Sequence, residues 1–449
     1  MKGVLLISLL LLLIILSLGY TGEKAEYLVY IIWDAFRYDY YIWANQSPYL
    51  GTPVINELLK NGVLFTNVYT GIPSITNPMQ ATLVTGAWPR TTGNIYRYYD
   101  KDLNIIKQMG RDNLAETLAE AAARQELKVA SVQQFMVLDR GTSYTDPSHL
   151  YIQPGGDFQN RVNEAIKIWT GKPIDAAGAR ITFDGKPDLM FIYADDLDGI
   201  GHNEAPTYGL PCASTEEERI ANCVKRLIQM DKWLGTLIQT LKDLGIYEKT
   251  NFVIASDHGM TPYSGYSSLP QLVNTLKDAL KDLGYSVTNN SIQVLSTNQS
   301  PAPDNKLVIV TVGLQAQIYF NKNWMYTQEE YNTVVNALKS QEYIGGVYTI
   351  SDLSLRGAHP KTADILVWPK PSNHFKTDIT KNYVARGQHD SVDDSSQHVF
   401  LLMSGPSFKK GVRIENRVYI VDIVPTISKV LNIEPPRNVE GRVITEALK

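Results

Sequence analysis

The sequence predicts an α/β fold with a largely parallel central sheet, and three observations carry that prediction. Apolar runs of strand length recur along the chain, helical patterns alternate with them, and three of the runs lead into an aspartate. Residues 27–33 (YLVYIIW) run into Asp34, residues 189–193 (LMFIY) lead on to Asp198, and residues 252–256 (FVIAS) deliver Asp257 and His258. Strands buried on both faces read as continuous apolar runs, whereas half-exposed strands alternate. In open α/β sheets functional residues gather at the carboxyl ends of the strands. His202 follows Asp198 by four residues, and His389 stands in Gly387-Gln388-His389-Asp390. Carboxylates and imidazoles converging on one sheet edge predict a divalent-metal cup.

The other elements follow in order. Residues 52–60 (TPVINELLK) are predicted helical, ending at the C-cap signal Asn61-Gly62. Residues 63–69 read as a strand, 113–125 as an Ala/Glu-rich helix, and 128–132 as a strand. Residues 158–169 have helical periodicity, and 215–244 form a long helix opened by Ser214-Thr215 and three glutamates. From residue 261 to 384 the rhythm changes, with helices at 270–283 and 328–340 and an apolar run at 307–312. This block reads as an insertion beside the metal cup. A strand at 399–404 and a helix at 421–431 return the chain to the core, so the expected catalytic core comprises residues 23–260 and 385–449.

Bulk properties narrow the partners. The 449 residues carry a net charge of −4 and no basic block, which gives no support for nucleic acid as a partner. Lys2 followed by the apolar residues 4–18 reads as a signal peptide or membrane anchor over residues 1–22, and either places the body outside the cytoplasm. Membrane contact is expected only through that segment. In an exported chain Cys212 and Cys223 are expected to form a disulfide that staples a loop to the long helix. Asn45, Asn289 and Asn298 begin N-x-S sequons.

A two-metal hydrolase needs ligands for two cations about 3.5–4 Å apart and a nucleophile between them. Thr76, in residues 76–86 (TNPMQATLVTG), lies at the predicted start of a helix. A hydroxyl there is either an activated nucleophile or simply the N-cap.

These segments, taken in order, resemble the alkaline phosphatase superfamily, and most closely its type I phosphodiesterase / nucleotide pyrophosphatase family. The resemblance rests on Asp34, Thr76 ahead of Thr82-Leu83-Val84-Thr85-Gly86, Asp198-x-x-Gly201-His202, Ser256-Asp257-His258-Gly259-Met260 and Gly387-x-His389. It implies a three-layer alkaline-phosphatase-like sandwich with an α+β insertion above the metal site. It implies two divalent ions, zinc in this family, one on Asp34, Thr76, Asp257 and His258 and the other on Asp198, His202 and His389. It further implies attack by Thr76 on a small phosphate ester, such as a nucleotide, through a phospho-threonine intermediate.

The chain departs from the family in two places. The nucleophile segment often reads T-F-P-N-H but is Thr76-Asn77-Pro78-Met79-Gln80 here, a form closer to phosphonoacetate hydrolases of the same superfamily. The phosphoryl-binding asparagine should fall shortly after Gly93, where Asn94 sits early and Arg97 occupies the nominal position. Both are candidate substrate-binding residues. A phosphonate hydrolase or phosphomonoesterase on the same core is the rival reading, and a surface-binding pseudoenzyme would show a broken ligand set.

Overall fold

A computed structural model describes residues 25–449. The expected N-terminal signal or anchor lies outside the described residues. No helix among the described residues is long and apolar enough to cross a membrane.

Among the described residues the central sheet has nine strands. Strand Tyr27–Trp33 sits at its middle, parallel to Thr250–Ala255 on one side and to Leu189–Ala194 on the other. Val129–Val132 and His149–Ile152 extend the parallel run. Beyond Thr250–Ala255 the strand His398–Ser404 pairs antiparallel with it and with Gly62–Tyr69.

The two faces of the middle strand explain its composition. Val29, Ile31 and Trp33 pack under the helices Phe158–Trp169 and Glu216–Asp243. Leu28, Tyr30 and Ile32 pack against the opposite layer, which includes Thr76–Thr85, Leu118–Ala123 and Ile423–Leu431. Both faces are buried, so no position in the strand is left to be polar. Each fully buried Leu or Ile contributes about 1.5–3 kcal/mol. The result is a three-layer α/β sandwich.

Two elements differ from the sequence reading. The helix expected over residues 113–125 begins only at Leu118. Thr117 accepts from the Glu120 amide, and the Glu120 carboxylate accepts from the Thr117 amide, a reciprocal cap that sets the start. Asp198 does not end a strand but lies on a short helix, Asp196–His202, which follows Leu189–Ala194.

The expected disulfide is not formed. Cys223 faces the buried side of its helix and meets Tyr40 and Arg219, while Cys212 is exposed in the preceding loop. The same helical phase that packs Cys223 into the core turns its thiol away from Cys212.

A second sheet of five strands lies between residues 292 and 369, in the order Ile292–Val294, Leu307–Val312, Gln315–Phe320, Ile365–Pro369 and Ile344–Thr349. Leu307 and Ile309 face the helices Leu269–Asp282 and Gln328–Lys339. Val308, Val310 and Val312 face the other way, against Ile72, Ile75, Tyr99 and Ile106. One face of this sheet therefore packs directly on the segment that carries Thr76.

Candidate active site

Asp34 comes first after the middle strand, and its amide donates to the Ala194 carbonyl of the neighbouring strand. Asp257 and His258 leave the strand on the other side. His389 arrives by a different route. Strand Tyr383–Gln388 pairs antiparallel with Thr261–Gly265, setting Gln388 opposite Thr261 and so returning His389 to His258. Their rings stack with centroids 4.0 Å apart. Gly387 permits this return, since a Cβ there would stand 2.3 Å from the Gly201 carbonyl oxygen.

Two groups of ligand atoms result. Asp34, Asp257 and His258 form one, and Asp198, His202 and His389 the other; within each group the ligand atoms lie within 4.8 Å of one another. His258 Nε2 is 3.2 Å from Asp34 Oδ1 and 3.6 Å from Asp257 Oδ2. His202 Nε2 is 3.3 Å and His389 Nε2 3.9 Å from Asp198 Oδ1. Backbone carbonyls set two of the rings. Nδ1 of His258 donates to Gly259 O and Nδ1 of His202 to Gly387 O, which leaves each Nε2 facing the cup.

The residues fit divalent ions. Asp34 Oδ1, Asp198 Oδ1 and His389 Nδ1 are buried without a hydrogen-bond partner among the described residues. Buried polar atoms are normally satisfied, and a bare carboxylate oxygen in an interior is costly. Burial pushes the Asp34 carboxyl well above its ordinary range, and the nearby Asp257 and Asp198 charges push it further. Burial also raises Asp198, but the imidazoles of His202, His389 and His258 outweigh it and hold that carboxyl low. Burial, then the neighbouring His258, drives His389 well below the usual imidazole value, leaving a neutral ring suited to binding a cation. Mixed nitrogen and oxygen donors in two adjoining sets are the donor chemistry of borderline divalent metals such as zinc.

Thr76 stands against the first group. It is the first residue of the helix Thr76–Thr85, whose N-cap is Ile75, so the threonine is not the cap. No side chain caps this helix, and Thr76 Oγ1 points to His258 Nε2 at 3.2 Å.

Three side chains that sequence reasoning missed hold this geometry. Gln80 Nε2 donates to Asp257 Oδ2 at 2.8 Å, and Gln134 Nε2 donates to Gln80 Oε1 at 2.7 Å. Tyr193 donates its hydroxyl proton to Asp34 Oδ2. Gln80 was within reach of the sequence, since it lies one helical turn beyond Thr76 on the same face. Tyr193 carries no such signal, because a tyrosine in a buried strand reads as core. Two further carboxylates, Asp195 and Asp196, hold the element that follows Leu189–Ala194. Asp196 is fully buried and pairs with Arg226, while Asp195 pairs with Arg161, which anchors the helix bearing Asp198 and His202.

The two candidate substrate-binding residues separate. Asn94 is buried and consumed, because its amide donates to the carbonyls of Gly110 and Asp112 and its oxygen accepts from the Tyr96 amide. It has no side-chain N–H left for a phosphoryl oxygen, which corrects the sequence expectation. Arg97 lines a cavity of about 400 Å³ that opens beside His202 and His389, together with Tyr96, Glu204, Lys376 and Gln388.

Comparison with known proteins places the whole chain rather than the individual residues of the site. The family model described as type I phosphodiesterase / nucleotide pyrophosphatase matches residues 28–392. Bis(5'-adenosyl)-triphosphatase ENPP4 of Pongo abelii is 23% identical over 424 residues, covering 92% of this chain and 79% of that protein. Ectonucleotide pyrophosphatase/phosphodiesterase family member 1 of Mus musculus is 25% identical over 245 residues, covering 51% of this chain and 23% of that protein. Among solved structures, inactive murine ectonucleotide pyrophosphatase / phosphodiesterase 5 in complex with AMP superposes with a TM-score of 0.65 at 18% identity, covering 95% of this chain and 100% of that one. The human protein 5 gives 0.61 at 20%, covering 94% and 100%. These structures share the fold. With the family match spanning most of its length, the chain belongs to the type I phosphodiesterase / nucleotide pyrophosphatase family of hydrolases, within the alkaline phosphatase superfamily.

Proposed function

We propose that this chain is an exported two-metal hydrolase that cleaves phosphodiester or pyrophosphate bonds of nucleotide-type substrates, with Thr76 as nucleophile. The observation that carries the proposal is the position of Thr76 Oγ1, 3.2 Å from His258 Nε2 and free of any capping role. In this reading Asp34, Thr76, Asp257 and His258 hold one ion, and Asp198, His202 and His389 hold the other. Bound ions would lower the pKa of the threonine hydroxyl and neutralise charge developing on the phosphoryl group.

The chain's own groups do the rest. Gln80 and Tyr193 fix the two carboxylates of the first group. Thr76 Oγ, its proton released to solvent, forms the new bond to phosphorus as the bond to the leaving oxygen breaks, and the leaving group departs with the electron pair and takes a proton from water as its pKa requires. Water then hydrolyses the phospho-threonine and restores the hydroxyl. The uncapped amides of Thr76 and Asn77 are placed to hold the phosphoryl oxygens, and Arg97 lines the cavity beside them. We take residues 261–384 as a cap over this site. Export is supported by the apolar run over residues 4–18.

The test compares bis-p-nitrophenyl phosphate, p-nitrophenyl phosphate and thymidine 5'-monophosphate p-nitrophenyl ester on zinc-loaded wild type and Thr76→Ala. Diester turnover should exceed monoester turnover, and Thr76→Ala should lose roughly ten-thousand-fold or more in kcat while keeping its fold. Wild-type rates from Thr76→Ala would sink the covalent mechanism. Full activity after stringent chelation would sink metal dependence.

A further inference from the structure

The cavity beside His202 and His389 carries a lysine that the reaction just described does not use. Lys376 lines it, half-buried, with Nζ 5.5 Å from the centre of the Tyr263 ring. Glu204 faces it across the cavity, yet Lys376 makes no ion pair among the described residues. A half-buried ammonium has lost part of its hydration, so leaving it unpaired has a cost.

The backbone beneath it is fixed. The Lys376 amide donates to His374 Nδ1, and His374 Nε2 donates to the Gly265 carbonyl. The His374 ring is fully buried, with ring centroids 5.0 Å from Tyr263 and 5.2 Å from Tyr383. Arg97 is fixed as firmly, its guanidinium donating to Gln108 Oε1 and to the Thr311 carbonyl. Two cations thus line one cavity, one with a held guanidinium and one on a held backbone; Ile75 also borders it, but of the two ligand groups only that of His202 and His389 does. In an in-line displacement the leaving group departs on the side away from the nucleophile.

We propose that Lys376, with Arg97, forms an anion subsite that takes a second anionic group carried on the leaving side of the substrate. This rests on the proposed hydrolytic function and makes Lys376 the residue that selects among leaving groups. Two sources share the required chemistry, the next phosphate of an anhydride and the carboxylate of a phosphonoacetate.

The test measures kcat/KM of the zinc-loaded enzyme on ATP, on phosphonoacetate and on thymidine 5'-monophosphate p-nitrophenyl ester, whose leaving group carries no second anion. Lys376→Met should lower kcat/KM by about 10- to 100-fold on whichever of the first two is the better substrate. It should change the nitrophenyl ester by less than about threefold, and Lys376→Arg should restore most of the loss. The substrate that suffers the loss names the source. Equal losses on all three substrates, no loss on either anionic one, or failure of wild type to turn over both would overturn the subsite. An inactive Thr76→Ala alongside an unaffected Lys376→Met would overturn the subsite alone and leave the hydrolytic function standing.

Discussion

The central sheet and the second sheet are built from similar apolar strands but bury them against different neighbours. In the middle strand every residue from Leu28 to Trp33 is inaccessible, with helices of the same core on both faces. In Leu307–Val312 only the face bearing Leu307 and Ile309 meets helices of its own unit, and the face bearing Val308, Val310 and Val312 meets the Thr76 region. The first arrangement buries both faces of the strand that leads into Asp34. The second yields a layer whose stability and position depend on the core beneath it. The two ligand groups stand at the edge of the first sheet, and the second packs on the segment that carries Thr76.

Changes at the edge of the first sheet should have the largest effects. Asp257→Ala removes a member of the buried ligand group and should cost far more activity than loss of an outer partner, with a corresponding drop in zinc bound per chain measured by atomic absorption. Gln80→Leu tests the outer partner itself. The Asp257 carboxylate would lose a 2.8 Å donor while keeping those from the Ala35 and His258 amides. Zinc affinity should fall about 10- to 100-fold, read by competition with a chelating dye. Unchanged affinity would show that the backbone donors alone hold Asp257.

The contrast between the two sheets also explains what could be read from the sequence. Continuous apolar runs made the middle strands legible, and the aspartates that follow them marked the sheet edge. His389 could be offered as a ligand from its residue type, but its route to this edge could not be derived, since more than a hundred residues separate it from His258 and nothing local encodes the pairing of Gln388 with Thr261. Lys376 was illegible for a related reason. Its value lies in an absent partner and a cavity wall, and neither is a property of neighbouring residues. Asn94 misled because an asparagine near a site looks like a ligand until its backbone partners at Gly110 and Asp112 are known.

In the second sheet a cavity should act locally. Ile309→Ala opens a space between that sheet and its helices and should cost about 2–4 kcal/mol. The loss should appear in hydrogen exchange of Leu307–Val312 and Gln315–Phe320, with protection of the middle strand unchanged. Equal loss in Tyr27–Trp33 would mean that the two sheets unfold as one cooperative unit.

The smallest effect expected on catalysis, and the one on stability that depends on pH, lies in the core's helical layer. Asp231, on the long helix, is fully buried and accepts from the Val54 and Ile55 amides at 3.1 and 2.8 Å, so it caps the helix Pro53–Lys60 from outside. Burial pushes its carboxyl up to about 6, and the two amides only partly oppose that. The folded state therefore holds this proton more tightly than the unfolded chain, whose carboxyl titrates near 3.9. Its contribution to stability is complete below that value and is lost as pH rises through about 6. Asp231→Asn removes the titration but turns an amide N–H toward one of the two backbone donors, a cost of about 1 kcal/mol at every pH. The difference in unfolding free energy between wild type and Asp231→Asn should therefore shift by about 1–3 kcal/mol between pH 4 and 7, in favour of the variant as pH rises. Urea titrations across that range measure it. A difference independent of pH would mean that the two amides stabilise the carboxylate as much as burial opposes it.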